Sequence, residues 1–160
     1  MESSALYIWI KWIHLLATAA WIGGMVANLL IYMPVIRKHL DPGTSGKLMG
    51  AVMGRFKILV YSCIAIFILT GVLLVAMRDN AVGPMRVGDP WFLYFFAKLA
   101  LFVVMVFLSV FAFEVLAPAA GKMAQEGPSE KLNRLRRRQG VLALTGFVLG
   151  LIILLISAAL

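Results

Sequence analysis

Two ionisable side chains, Lys11 and His14, lie inside the first long apolar stretch of the sequence, which runs from Tyr7 to Tyr32. Ionisable groups are costly in hydrocarbon, so a lysine and a histidine in a stretch of membrane-spanning length point to a function. If the stretch is one helix, nearly all of its polar or unusual side chains fall within about 60° of the direction of His14. These side chains are Tyr7, Lys11, His14, Thr18, Trp21, Met25, Asn28 and Tyr32.

Lys98 is a second lysine inside an apolar stretch. It lies in the third stretch, about two helical turns from the end of that helix that is expected to face outside. His14 lies roughly 10–15 Å below the same end of its own helix. Because both groups lie at a similar depth in the membrane, we expect them to form one site in the outer half of the bundle. The face of the third helix that carries the lysine is formed by Trp91, Tyr94, Lys98, Phe102, Met105 and Ser109.

A histidine in a helix bundle is a hydrogen-bonded structural residue, a proton relay or a metal ligand. Small residues around His14 leave room for a flat cofactor, and aromatic residues can line its faces. Haem b satisfies this pattern, with the imidazole of His14 on the iron and Trp21 packed against the ring. Lys11 and Lys98 would then pair with the propionates. The small residues are Ala17, Ala19, Ala20, Gly23 and Gly24.

The number of histidines limits how such a site could coordinate haem iron. The other histidine, His39, follows 25 residues later, which is over about 30 Å along a continuous helix. One chain therefore cannot hold one haem with two histidines. The iron would be five-coordinate, or its sixth ligand would be Met25, Met105, a tyrosine, a lysine, water or a group from a second chain.

Copper is the alternative metal. Nine methionines offer thioether ligands of the kind that Cu(I) prefers, with His14 as a further ligand. Met49 and Met53 are four residues apart, but no closely spaced methionine cluster lies beside His14. Their spacing in the sequence therefore argues against a dedicated methionine site next to the histidine.

Four apolar stretches must position these residues. The chain has 160 residues, of which 62% are hydrophobic and 14% charged, and a soluble domain of this size could not bury so much apolar surface. A bilayer-spanning helix needs about 20 residues. We therefore expect an all-α polytopic membrane protein with one domain, residues 1–160, folded as a four-transmembrane-helix bundle. The expected helices cover approximately residues 5–33, 58–77, 91–116 and 141–160.

Local signals predict the helix boundaries. Pro34 should end the first helix near Met33, because the residue before proline avoids helical angles. Residues 41–43, Asp-Pro-Gly, form a turn signal. Residues 44–57 are either an interfacial helix or an extension of the second helix, with the extension favoured. Asp89 is a candidate cap of the third helix, and Glu114 near its other end is expected to meet cytoplasmic basic residues.

The distribution of charge predicts the orientation. The net charge of +8 is concentrated in the first and third connections, whereas the second connection is balanced. This is the positive-inside pattern, so both termini should lie outside and the basic connections in the cytoplasm. Basic ends that face anionic lipid explain the charge without a nucleic acid. The basic residues are Arg37, Lys38, Lys47, Arg55, Lys57, Lys122, Lys131, Arg134, Arg136, Arg137 and Arg138.

Two motifs resemble known membrane families. The pattern Tyr7-x-Trp9-x-Lys11-x-x-His14, with residues 21–24 reading Trp-Ile-Gly-Gly, resembles the first helix of HemJ-type protoporphyrinogen oxidases and of the wider CopD (copper-resistance protein D) group. Residues 97–101, Ala-Lys-Leu-Ala-Leu, are similar to the lysine motif of a later helix in both groups. The HemJ resemblance implies that His14 binds haem b and that Lys98 is a catalytic residue.

The chain also departs from the HemJ pattern. Ser109 and its neighbours stand where that pattern has a histidine, and residues 138–140, Arg-Gln-Gly, stand where it has Asn-Glu-x-Pro. The resemblance to HemJ-type proteins therefore does not imply protoporphyrinogen oxidase activity for this chain. The CopD resemblance fits the sequence better and implies passage of copper across the membrane.

Three hypotheses follow. The first is a membrane haem b protein, acting as an electron carrier or small oxidoreductase, with its cofactor in the outer half of the bundle. The second is a CopD-like copper-uptake or copper-resistance protein, and the third is an accessory structural subunit of a larger membrane complex. The candidate partners are the lipid bilayer, a second copy or a larger complex, and a quinone or porphyrin. Positive-inside topology suits a prokaryotic inner membrane.

Overall fold

The computed structural model describes residues 2–84, 86–125, 127 and 129–158, and nearly all of them are helical. Within these residues, six α-helices and two short π-helical segments follow one another. They are α1 (Glu2–Val26), π1 (Ala27–Tyr32), α2 (Met33–His39), α3 (Pro42–Val82), α4 (Pro90–Val110), π2 (Phe111–Leu116), α5 (Ala117–Gln125) and α6 (Glu130–Ala158).

These segments form four rods that are long and apolar enough to cross a bilayer. The rods cover Ala5–Ile36, Gly43–Asn80, Pro90–Ala124 and Glu130–Ala158. Large apolar side chains on the outside of every rod are exposed, as is expected where lipid is the solvent. The predicted all-α, four-helix membrane bundle is confirmed, and the protein is a multi-pass membrane protein in contact with lipid.

The first rod does not end at Pro34. It continues through π1 to His39, and Pro34 lies in the first turn of α2. Within π1 the N–H of Met33 bonds to the carbonyl of Asn28, one residue further back than in an α-helix. The hydrogen-bond register is thus reset just before the proline, and its missing N–H falls in a first turn, where proline is tolerated.

The second rod contains residues 44–57, for which the sequence allows either an interfacial helix or an extension of the spanning helix. Residues 44–57 belong to the single helix α3, so they extend the spanning helix rather than lie along the surface. The predicted turn at residues 41–43 is instead the helix start: Asp41 is the N-cap, and its carboxylate accepts a hydrogen bond of 2.9 Å from the N–H of Thr44. At the other end Gly83, with φ of 87°, closes the helix.

The last two rods show similar differences at their ends. Asp89 occupies the N-cap position of α4, but its side chain makes no capping hydrogen bond. The final helix begins at Glu130, well before the predicted residue 141, because the basic segment is helical and continuous with the apolar one. Long basic side chains at a helix end reach the headgroup region, so such an extension needs no core of its own.

The core lies where α1, α3, α4 and α6 approach one another. Its centre is Trp21, with 2% of its surface exposed, and the other fully buried members are Ala17, Met25, Val60, Cys63 and Met105. Gly150 of α6 brings that helix close, because a Cβ at this position would lie 3.6 Å from Met25 and 3.8 Å from the sulfur of Met105. Close approach at a small residue is the usual device of membrane helix packing.

Glu114 in π2 meets a basic residue, Lys57, as its position in the sequence predicts. Its carboxylate lies 2.7 Å from the Lys57 ammonium and accepts a 2.6 Å hydrogen bond from the Tyr61 hydroxyl. This cluster joins the second and third rods near the end that the charge pattern places in the cytoplasm.

Candidate functional site

All four rods line one cavity of about 600 Å³, which we call the His14 cavity. The first rod contributes His14, Thr18, Trp21 and Ile22; α3 contributes Phe67, Ile68, Gly71, Val72, Val75, Ala76 and Asp79. The lining is completed by Phe95, Lys98, Leu99, Phe102 and Met105 of α4 and by Gly150, Ile153, Leu154 and Ser157 of α6. Its walls are largely apolar, and few polar groups point into it.

The imidazole of His14 is held by a hydrogen bond to a residue of another helix. Its Nδ1 lies 2.7 Å from the hydroxyl oxygen of Thr70, which is only 5% exposed. The Thr70 hydroxyl itself donates to the carbonyl of Ile66 at 2.6 Å. A hydroxyl has one proton, so Nδ1–H is the donor to Thr70 and Nε2 carries an unprotonated lone pair.

Aromatic rings fix the plane of the imidazole. Phe67 contacts His14 edge-to-face, with ring centroids 5.0 Å apart. Trp21 stacks on Phe67 at 5.7 Å, and Phe102 meets both rings edge-on. These contacts restrict rotation of the imidazole and give one wall of the cavity flat, apolar faces.

The cationic group of the cavity is Lys98 on α4, half-buried. Among the described residues its ammonium is within 4 Å of no carboxylate. The carboxylate of Asp79, which also lines the cavity, is instead paired with Arg78 at 3.0 Å. Arg78 in turn lies over the ring of Trp91, 4.0 Å from its centroid, and so links α3 to the start of α4.

The structure separates the residues that the sequence offered as candidates for the cofactor site. His14, Trp21, Lys98 and Met105 line the His14 cavity. Lys11 does not line it: its side chain is exposed, with the ammonium 5.9 Å from the ring centroid of Tyr7. Met25 and His39 also lie outside the lining of this cavity; Met25 is buried towards the other half of the bundle, and His39 is exposed at the end of α2.

Thr70 is the site residue that sequence reasoning missed. The sequence does not single it out, because nothing on the second helix marks which neighbour Thr70 faces. The available signal was its hydrogen-bonding type: a threonine inside a spanning helix bonds to its own helix and can accept a bond from another.

A second cavity, of about 400 Å³, lies on the other side of Trp21, whose side chain lines both. We call it the Asn28 cavity. Four methionines from different parts of the chain line it, although none is adjacent to His14. They are Met25, Met33, Met49 and Met53.

A family model described as a domain of unknown function, DUF4149, matches residues 16–129. The chain belongs to the DUF4149 family. No curated protein and no solved structure matches it.

The DUF4149 region contains most of both cavities. Trp21, Asn28, Thr70 and Lys98 fall inside it, whereas His14 lies two residues before its start. In the described part of this DUF4149 protein, no three histidine, cysteine or acidic side chains converge as a metal site would require. A metal at His14 would thus depend on a group that brings its own ligands, such as a porphyrin, or on sulfur ligands.

Proposed function

We propose that this DUF4149 protein binds haem b in the His14 cavity and acts as a membrane redox protein, either an electron carrier or a small oxidoreductase. The observation that carries the proposal is the hydrogen bond from Nδ1 of His14 to Thr70. It directs the proton to Nδ1 and leaves Nε2 available as a ligand. Ligating histidines in metal sites regularly donate their other N–H to a partner that fixes the ring.

The lining of the cavity fits a haem in size and chemistry. A volume of about 600 Å³ is in the range of pockets that enclose cofactors. Small residues, Gly71, Ala76 and Gly150, alternate with the aromatic wall. Lys98, without an ion-pair partner among the described residues, is suited to a propionate.

Each residue has a proposed role. His14 would hold the iron, Trp21 and Phe67 would pack against the ring, and Lys98 would neutralise a propionate or hold an anionic substrate as the catalytic lysine. Met105 lines the same cavity and is the candidate for a sixth ligand. Bound haem would supply one-electron redox chemistry, with a potential set by the axial ligands and the low polarity of the walls.

The resemblance to HemJ-type and CopD proteins supports the same assignment of His14 and Lys98. With the positive-inside charge pattern, we extend the proposal to a prokaryotic inner membrane, with both termini outside. A quinone or porphyrin is the proposed small-molecule partner, and a second copy of the chain or a larger membrane complex the proposed protein partner.

Visible spectroscopy of the purified protein tests the proposal. We expect a Soret band after haem supplementation, its loss in His14→Ala, and its retention in His39→Ala, which removes the other, exposed histidine. Absence of the band in the supplemented wild-type protein, or equal bands in the two variants, would refute haem binding by His14.

A second candidate function is CopD-like copper transport, and the four methionines of the Asn28 cavity favour it. Thioethers suit Cu(I), and Trp21 separates this cavity from the one that contains His14. Copper would then pass between the methionines and the histidine. Stoichiometric Cu(I) binding that is lost in a Met49→Leu, Met53→Leu double variant would support this function, and no Cu(I) binding would contradict it.

A further inference from the structure

The Asn28 cavity contains a buried polar atom without a partner. Asn28 is 5% exposed and lines the cavity, and its Oδ1 has no hydrogen-bond partner among the described residues. Its Nδ2 donates to the thioether sulfur of Met53 at 3.8 Å. A buried carbonyl oxygen without a donor is costly, so it marks a place where a donor is expected to bind.

The backbone around this atom is widened rather than closely packed. Asn28 belongs to π1, and π2 contributes Ala112 and Phe113 to the same lining. The lining also includes three glycines of α3, Gly46, Gly50 and Gly54, at which a Cβ would meet no atom within 4 Å. Single π-helical turns are frequent at functional sites, and here residues of two of them line one cavity.

The remaining walls define the chemistry of an occupant. Phe56 and Phe113 contact each other edge-to-face at 6.1 Å, and methionine sulfur lines the same space, an environment that favours an aromatic ring. Gly50 and Gly54 are exposed as well as lining the cavity, so it opens to the lipid-facing surface beside them. A long apolar tail can leave by that side.

We propose that the Asn28 cavity binds a membrane quinol, with one quinol hydroxyl donating to Oδ1 of Asn28. The reduced form is selected because a quinone carbonyl has no proton to donate to this oxygen. A hydroxyl donor is the shared chemistry of quinols and of hydroxyl-bearing lipids, and the aromatic and sulfur walls favour the quinol. The choice of a redox molecule as the ligand rests on the proposed function. The binding of a hydroxyl donor at Asn28 does not depend on it.

Binding to the haem-free protein tests the inference. The probes are a benzoquinol with an alkyl tail, its dimethyl ether and a monoacylglycerol, each titrated calorimetrically into protein in nanodiscs under reducing, oxygen-free conditions. We expect the quinol to bind about tenfold more tightly than the ether, since the ether leaves the buried oxygen unpaired. Equal binding of quinol and ether would overturn the hydrogen bond to Asn28. Equal binding of the monoacylglycerol would overturn the requirement for an aromatic ring.

Two variants separate loss of the site from loss of the fold. Asn28→Leu removes the unpaired oxygen at similar volume, so it should unfold at the same or a higher temperature while losing the preference for quinol over ether. Asn133→Leu, at an exposed asparagine of α6, is the matched control and should keep that preference. Gly46→Leu places a side chain in the open space and should weaken binding of all three probes. Unchanged quinol binding in both Asn28→Leu and Gly46→Leu would overturn the site.

The outcome is independent of the haem test. Quinol preference in a protein that binds no haem would leave the Asn28 site standing and remove the proposed function. A Soret band that depends on His14, in a protein without quinol preference, would do the reverse.

Discussion

The Nδ1 atom of His14 lies 2.7 Å from the hydroxyl oxygen of Thr70, although the two residues are 56 positions apart in the chain. This bond joins α1 to α3 and sets the tautomer of the imidazole through a second bond, from Thr70 to Ile66. In the proposed haem site, α1 would supply the ligand and α3 would determine which nitrogen of its imidazole is available.

We predict that Thr70→Val, which has nearly the same shape, weakens haem binding by about 10- to 100-fold, the usual effect of removing a partner of a ligating histidine. It should also lower the free energy of unfolding by about 0.6–1.7 kcal/mol, the range for interhelical hydrogen bonds in membranes. Haem titration and chemical denaturation in detergent measure the two effects.

Matched variants separate the bond from the change of residue type. Thr70→Ser keeps the hydroxyl and should retain most of the haem affinity. Thr145→Val makes the same substitution at an exposed threonine of α6 and should change neither quantity. If Thr70→Val bound haem as tightly as the wild type, the hydrogen bond would have no role in ligation.

The sequence is sufficient to predict the membrane bundle and the position of His14 and Lys98 in the same half of it. Bilayer thickness fixes the length of apolar stretches, and depth along a helix follows from its rise per residue. Helix length and depth in the membrane depend only on position along one segment of the chain. Both can therefore be predicted without knowing how the helices pack.

Which neighbouring helix a side chain faces can be known only from the packed bundle. The stripe on the first helix follows from a constant 100° per residue, but π1 changes the angular step after Val26, and Tyr32 at the end of the stripe is exposed. The exposed position of Lys11 and the partner of Thr70 depend on which helix lies beside each face. Periodicity along one helix contains no information on its neighbours.

The N-cap of α3 predicts a local dependence on pH. The hydrogen bond from the Thr44 N–H lowers the pKa of the Asp41 carboxyl below its ordinary value of 3.8. Because the charged carboxylate is favoured in the folded state, its stabilisation is complete above that ordinary pKa and is lost as pH falls through the lower folded value. Amide hydrogen exchange at Thr44 should therefore accelerate at acidic pH beyond the intrinsic dependence of the chemical step.

Asp41→Asn provides the control for this prediction. An asparagine side chain also caps a helix but does not titrate in this range, so the additional acceleration should disappear in the variant. The same additional acceleration in Asp41→Asn would assign the pH dependence to another group.

Adjacent glycines in the first helix should respond in opposite ways to alanine. At Gly24 a Cβ would lie 2.7 Å from the ring of Phe56 and 3.3 Å from Leu59, so Gly24→Ala forces these side chains of α3 to shift. We expect a loss of about 1–3 kcal/mol in the free energy of unfolding, as for other overpacked sites. At Gly23 no atom lies within 4 Å, so Gly23→Ala should be neutral or more stable. Equal effects of the two substitutions, measured by denaturation in detergent, would contradict this packing.

The two lysines of the apolar stretches should differ in their effect on haem binding. Lys98 lines the His14 cavity, whereas Lys11 is exposed beside Tyr7. Lys98→Met keeps an apolar stem of similar length but removes the charge opposite a propionate, so we expect haem affinity to fall about tenfold, as for the loss of a charged hydrogen bond. Lys98→Arg should restore most of it, because arginine keeps the charge. Lys11→Met should leave the affinity within twofold of the wild type, about 0.4 kcal/mol. An equal loss in Lys11→Met and Lys98→Met, measured by haem titration, would show that the sequence-based assignment of both lysines to the cofactor is the correct one.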